Sequence, residues 1–153
     1  MSTKSKGAAL EHLVETWLQM QGYVVHRAAA AGVHRFGSFY ASKSNDIFGC
    51  IDLLAIRRDG TRAFQCTTAQ NRAARRKKIE KHAEHWPSQW EVAVVVHDWE
   101  RVASNKPGVS RTQHYLRIER VNHACGGWCP QESVEIDVKA IEAWRKVQGG
   151  VVI

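Results

Sequence analysis

A single α/β domain with a mixed β-sheet is the fold class this sequence implies. Residues 6–21 carry Leu10, Leu13, Val14, Trp17 and Leu18 at the spacing of one helical face, and two strand-like runs flank Asp59-Gly60. A second helical pattern then precedes the strongly apolar residues 91–97. Strand, crossover helix and buried strand in that order predict a parallel pair with a right-handed connection, so the sheet is mixed.

Each element follows from local chemistry. Gly22 stops the first helix, and Tyr23-Val24-Val25 opens a strand. The stretch 28–45 has no clean period and reads as a mobile loop; it interleaves His34, Arg35 and Lys43 with Phe36, Phe39 and Tyr40, as a surface that tracks a nucleic-acid backbone would. Residues 50–56 are apolar on both faces apart from Asp52, which suits an interior strand covered by helices on both sides. Asp59-Gly60 is a two-residue turn signal, and residues 62–68 return antiparallel. Residues 71–86 place Ile79, Ala83 and Trp86 at helical spacing, with Pro87 as the stop. Tyr115 to Val121 alternates like a strand, and Asp137 can cap a last helix from Val138 to Val147, closed by Gly149. No repeat or linker divides residues 1–153, so one domain is expected, with a core over about 6–97 and an extension over about 98–153.

Lys and Arg number 22 against 15 Asp and Glu, a formal charge of +7, which points to a polyanionic partner. Six cations (Arg72, Arg75, Arg76, Lys77, Lys78, Lys81) face the single Glu80 between Asn71 and His82, so +5 of that +7 lies on the second helix. Arg72 and Arg76 share the stripe of Ile79, Ala83 and Trp86, and are expected to point at the sheet edge near Thr67, where a helix N-terminus favours phosphate. The apolar runs fall far short of the ~20 residues of a membrane span. The first residues lead into an amphipathic segment instead of an apolar signal core, so the expected location is the cytoplasm of a prokaryotic or phage-infected cell. Cys50, Cys66, Cys125 and Cys129 are accordingly read as reduced thiols.

The hairpin gathers the polar residues. With Asp59-Gly60 as the loop, Asp52 faces Thr67 and Gln65 lies diagonal to Asp52 on the same face, roughly 7 Å away or less. A carboxylate among Leu, Ile and Cys neighbours is costly unless it meets a cation or a good donor; the alternative is an Asp satisfied by Arg or backbone groups within the core. A carboxylate with an amide oxygen suits Mg²⁺ or Mn²⁺. Glu11 lies at the edge of the first helix's apolar stripe, whereas Glu15 turns further towards solvent, so Glu11 is the better-placed third ligand. Asp46 is either a further ligand or an Asx turn that starts the strand.

A Glu in the first helix, an Asp near the start of one hairpin strand, a Gln65-Cys66-Thr67 triplet on its partner and a basic helix together resemble the PD-(D/E)XK nuclease superfamily. Lys6-Gly7 through Glu11, with the Gly22-Tyr23 helix end, is similar to its archaeal and phage Holliday-junction-resolvase branch. The pattern covers roughly residues 6–97. The resemblance implies a restriction-endonuclease-like αβββαβ core, plus a C-terminal strand and helix, and a DNA endonuclease using Mg²⁺ or Mn²⁺ as a homodimer on branched DNA. Carried over by position, Asp52 is the principal metal ligand, Glu11 the helix acid, Gln65 the second ligand, and Thr67 stands where the family has its Lys. The last two are departures: Gln removes a negative charge, and Thr cannot supply the cation that positions water. Lys43, Arg72, Arg76 and Lys77 are candidate substitutes for that cation; Lys43, Arg72, Arg75, Arg76, Lys77 and Lys78 form the expected DNA-binding set.

Two other functional readings stand beside this one. The missing Lys fits a catalytically inactive DNA-binding protein of the same fold. His123, Cys125 and Cys129, with His114 within reach, suggest a zinc-stabilised nucleic-acid or protein interaction module, although the spacing is not a C-x₂-C pair. An ordinary Gly-rich turn with free thiols is the simpler account of that stretch. His82 and His85 are read as solvated or partner-facing. The six Trp are read as core and interface residues and not as a base-stacking set, though Trp86, Trp90 and Trp99 bracket one strand end.

Overall fold

The computed structural model describes residues 3–28, 32–36, 39–43 and 46–149, with side chains for 7–28 and 46–149. Helix α1 (Thr3–Met20) leads into β1 (Val24–Arg27); β4 (Leu53–Arg57) and β5 (Gly60–Thr67) form a hairpin; α2 (Arg72–Glu80) crosses to β6 (Trp90–Ala103). The chain then adds β7 (Ser110–Arg120), β8 (Glu132–Ile136) and α3 (Val138–Gly149). These strands form one sheet in the order β1-β4-β5-β6-β7-β8, antiparallel throughout except for the parallel β5–β6 pair. The chain is therefore α/β with a mixed sheet.

Residues expected to form a loop hold a second, two-stranded sheet, in which β2 (Gly32–Phe36) pairs antiparallel with β3 (Phe39–Lys43). Five-residue strands with one small and two cationic or polar residues leave too little alternation to register as a period. The C-terminal region carries two strands, not one, because β8 adds to β7 along five residue pairs, and β6 runs on to Ala103.

Gly22 takes φ +89°, a backbone region costly for residues with a Cβ, and the Tyr23 amide reaches back to the Leu18 carbonyl at 3.2 Å to close α1. Asp137 caps α3 as its sequence position implies: its Oδ1 accepts from the Ala140 amide at 3.0 Å. α2 is shorter than the apolar spacing suggests. It ends at Glu80, and residues 81–85 continue as turns, with the His85 amide bonded to His82.

The sheet is covered on both sides. Leu13, Val14 and Leu18 of α1, with Ile141 of α3, pack on Leu53, Ala55, Phe64, Cys66, Ala93, Val95, Leu116 and Ile118. The opposite face carries Ala63, Val92 and Val94 beneath Ile79 and Trp86, with Cys50 and Ile51. Strand alternation assigns the faces, so Gln65 and Thr67, in phase with Ala63, belong to the α2 side. Only part of the 50–56 run is strand: β4 starts at Leu53, and Cys50 and Ile51 are buried in the turn before it. Among the described residues no helix is long and apolar enough to cross a membrane.

Candidate functional site

The β4–β5 loop is Arg58-Asp59, one residue earlier than the turn signal suggests, because Arg57 pairs with Gly60. Arg57 holds the loop there, donating from Nε to Asp59 Oδ1 at 2.5 Å and from Nη2 to Oδ2 at 2.7 Å. The register is thereby two residues away from the expected one. A two-residue shift preserves faces, so the same side chains converge, but Gln65 replaces Thr67 as the direct neighbour of Asp52.

Gln65 Nε2 donates to Asp52 Oδ2 at 2.6 Å, and the Cys66 amide donates to the same oxygen at 2.9 Å. The second bond has a structural role: the β4–β5 ladder ends at Leu53–Phe64, and the carboxylate takes the Cys66 N–H beyond it. Asp52 and Gln65 are buried, as is Thr67, two residues further along the Gln65 face. Among the described residues, Gln65 Oε1 is sealed from solvent without a hydrogen-bond partner. Flipping the amide does not help, because Nε2 also faces the Cys66 carbonyl at 3.3 Å and the reversed amide would set oxygen against two acceptors. A buried acceptor without a donor costs about 1–3 kcal/mol.

Burial pushes the Asp52 carboxyl up to about 7, opposed by the Cys66 amide and by the Arg75 cation; the charges of Asp46 and Glu11 add to the rise. Glu11 is also held above the usual carboxylate range, first by burial and then by Asp46 and Glu15, with Arg27 opposing. Three acidic groups from α1, the turn before β4 and β4's entry thus share one field. Glu15 is drawn aside, 3.7 Å from Arg27 and from His12. The Asp46 carbonyl accepts from the Gly49 amide at 2.9 Å, so this residue also starts a turn.

Among the described residues no group of three His, Cys, Asp or Glu is placed to hold a metal ion. Mg²⁺ commonly takes only one or two protein oxygens and keeps its waters; the Asp52 carboxylate and the Gln65 amide offer oxygens of that class, both buried. The same finding bears on the zinc reading. His123 Nε2 lies 2.7 Å from the Trp90 carbonyl, and Cys125 and Cys129 are free thiols.

The basic helix is arranged differently from its expected wheel. Arg72 and Arg76 do not turn to the sheet edge at Thr67: both ion-pair with the buried Glu119 of β7, at 3.0 and 3.4 Å. Arg72 also donates to Gln131 at 2.8 Å, and Arg76 stacks 5.3 Å above the Trp128 ring. Glu119 is the physical reason, an acid on the same sheet face that the helix periodicity could not reveal. Arg75, which sequence reasoning placed in the DNA-binding set but not among the substitutes for the missing Lys, is the cation among the described residues whose field reaches Asp52. Lys78 acts on Cys50 in the turn beside it, and Lys77 is exposed. The Lys43 side chain lies outside the described residues.

Compared with protein-family models, curated proteins and solved structures, the chain matches none.

Proposed function

We propose that the chain is a divalent-metal-dependent DNA endonuclease of the PD-(D/E)XK type, acting on branched DNA as a symmetric dimer. The observation that carries this reading is the buried Asp52–Gln65 pair, whose amide oxygen has no partner among the described residues, set beneath a helix rich in cations. The order of helix, three antiparallel strands, crossover helix and parallel strand, with a hairpin inserted after the first strand, is consistent with the restriction-endonuclease-like core.

Asp52 and Gln65 Oε1 would hold Mg²⁺ or Mn²⁺, with Glu11 and Asp46 contributing through its water shell. When bound, the cation supplies a Lewis acid and a water of lowered pKa. The protein's own contribution is electrostatic. Ionised Asp52 is buried at a cost that a compensating cation offsets, and Arg75, Lys77 and Lys78 offer phosphate contacts on the same side of the sheet. Arg75 takes the place of the Lys that Thr67 cannot provide.

Thr67 also favours a second reading, a DNA-binding protein of this fold without catalysis. Incubation of linear, flapped and four-way DNA with Mg²⁺ or Mn²⁺, using the wild type and Asp52→Ala, separates the two. Wild-type cleavage lost in the variant is expected; equal binding with no cleavage of any substrate by either protein leaves the binding reading alone.

A further inference from the structure

Beyond the turn that carries Asp46 lies an aromatic cavity of about 290 Å³, lined by Phe48, His82, His85, Trp86, Pro87 and Trp90. Phe48 shapes its outer wall. It is a non-glycine residue at φ 55°, and it is 60% exposed. A bulky side chain in this left-handed region stores strain, and here the residue that carries it presents an apolar ring to water.

The ring stands edge-on to Trp86, with centroids 6.1 Å apart and planes at 72°. Trp86 is buried, and its only polar atom donates inward to the Ile79 carbonyl at 3.1 Å, so its ring offers carbon alone to the cavity. His82 meets Trp86 from another side at 5.8 Å, also at 72°. The cavity therefore combines crossed ring planes with two imidazoles able to donate or accept.

We infer that this cavity receives one unstacked base of a DNA strand whose phosphates run along α2. The inference rests on the endonuclease reading and extends it to a strand with exposed bases, as at a flap or junction. Ring walls suit a planar heteroaromatic group; the imidazoles suit its polar edge. Charge complementarity selects a nucleic acid over an apolar peptide: Lys77, Lys78 and Lys81 lie within the five residues before His82, against the single Glu80, and Lys78 acts electrostatically on Cys50, two residues from Phe48. Trp86 remains a core residue, as the sequence suggests, and contributes an outer edge only.

The test is fluorescence-anisotropy binding in EDTA, where cutting cannot occur, with three labelled probes: oligothymidylate, an abasic oligodeoxynucleotide of equal length, and linear duplex. Phe48→Ala should weaken oligothymidylate binding roughly 10-fold, the scale of one lost base stack, without changing its salt slope. Abasic binding should not change, and Phe48→Trp should restore the loss. An equal loss on the abasic probe, or no loss on oligothymidylate, overturns the inference and leaves the endonuclease reading standing. If no probe binds, the inference falls, and the endonuclease reading is decided by the cleavage assay on flapped and four-way DNA. Sedimentation of the same variants covers the remaining occupant: Phe48-dependent self-association with Phe48-independent DNA binding assigns the cavity to a protein partner and overturns the inference.

Discussion

Gln65 Nε2 donates to Asp52 Oδ2 over 2.6 Å inside the sheet, and among the described residues the other end of that amide has nothing to bond. The pair is stable as a hydrogen bond and incomplete as a polar network. On the proposed reading a divalent cation completes it, which is why the metal reading and the burial cost must be tested together.

Asp52 should make the metal-free protein less stable as pH rises. Its carboxyl is raised from an ordinary value of 3.8 to about 7, so the folded state binds the proton more tightly than the unfolded state does. Stability is then greatest below about 4, falls through the window up to about 7, and carries the full cost above it. Asp52→Asn removes the charge and retains an acceptor for Cys66. In EDTA it should unfold at higher denaturant than wild type at pH 8, by about 2–4 kcal/mol, and match wild type near pH 4. Equal stabilities at pH 8 would show that the carboxylate is not buried at a cost.

Gln65→Glu introduces the acid that the PD-(D/E)XK pattern, which the sequence resembles, has at this position. Two carboxylates would then meet where an amide now donates, and the variant in EDTA at pH 8 should lose about 2–3 kcal/mol. Millimolar Mg²⁺ or Mn²⁺ should return that loss and raise the melting temperature more than it does for wild type, by mass action on the folded state. A variant destabilised equally with and without the cation would count against a metal site at this pair.

Part of this site was legible from residue order. Asp52, Gln65 and Thr67 share a face in either hairpin register because a two-residue slip leaves side-chain direction unchanged. The register itself was not legible, since it depends on Arg57 gripping Asp59 in the loop. The parallel β5–β6 pair followed from a buried strand after a crossover helix, whereas β2–β3 was hidden in short strands without a period. The direction of Arg72 and Arg76 depends on Glu119, 47 and 43 positions away in the chain, and no local wheel contains that partner.

Arg75 should be separable from its neighbours by function. Its field lowers the Asp52 carboxyl, so Arg75→Ala should raise that group further, and with it the pH at which a divalent cation begins to stabilise the protein. If Arg75 contacts a phosphate, DNA affinity should fall and the slope of log affinity against log salt should flatten by about 1. A slope and a metal-stabilisation profile both identical to wild type would remove Arg75 from the site.

The Arg72→Ala/Arg76→Ala variant should instead report on folding. These guanidiniums are about one-third exposed, at 36% and 34%, but Glu119 is buried, and removing both leaves its carboxylate facing the α2 side of the sheet without either counter-charge. An uncompensated acid in that position should cost about 1–3 kcal/mol, discounted from the fully buried case because the arginines are partly solvated. Glu119→Gln in the same background should recover much of that loss, since it removes the stranded charge. Denaturant titration of the four proteins forms a double-mutant cycle. Strong coupling places both arginines in the scaffold beneath the basic face, with Arg75, Lys77 and Lys78 left to meet phosphate; zero coupling, together with a DNA salt slope flattened by about 2, would return them to the binding set.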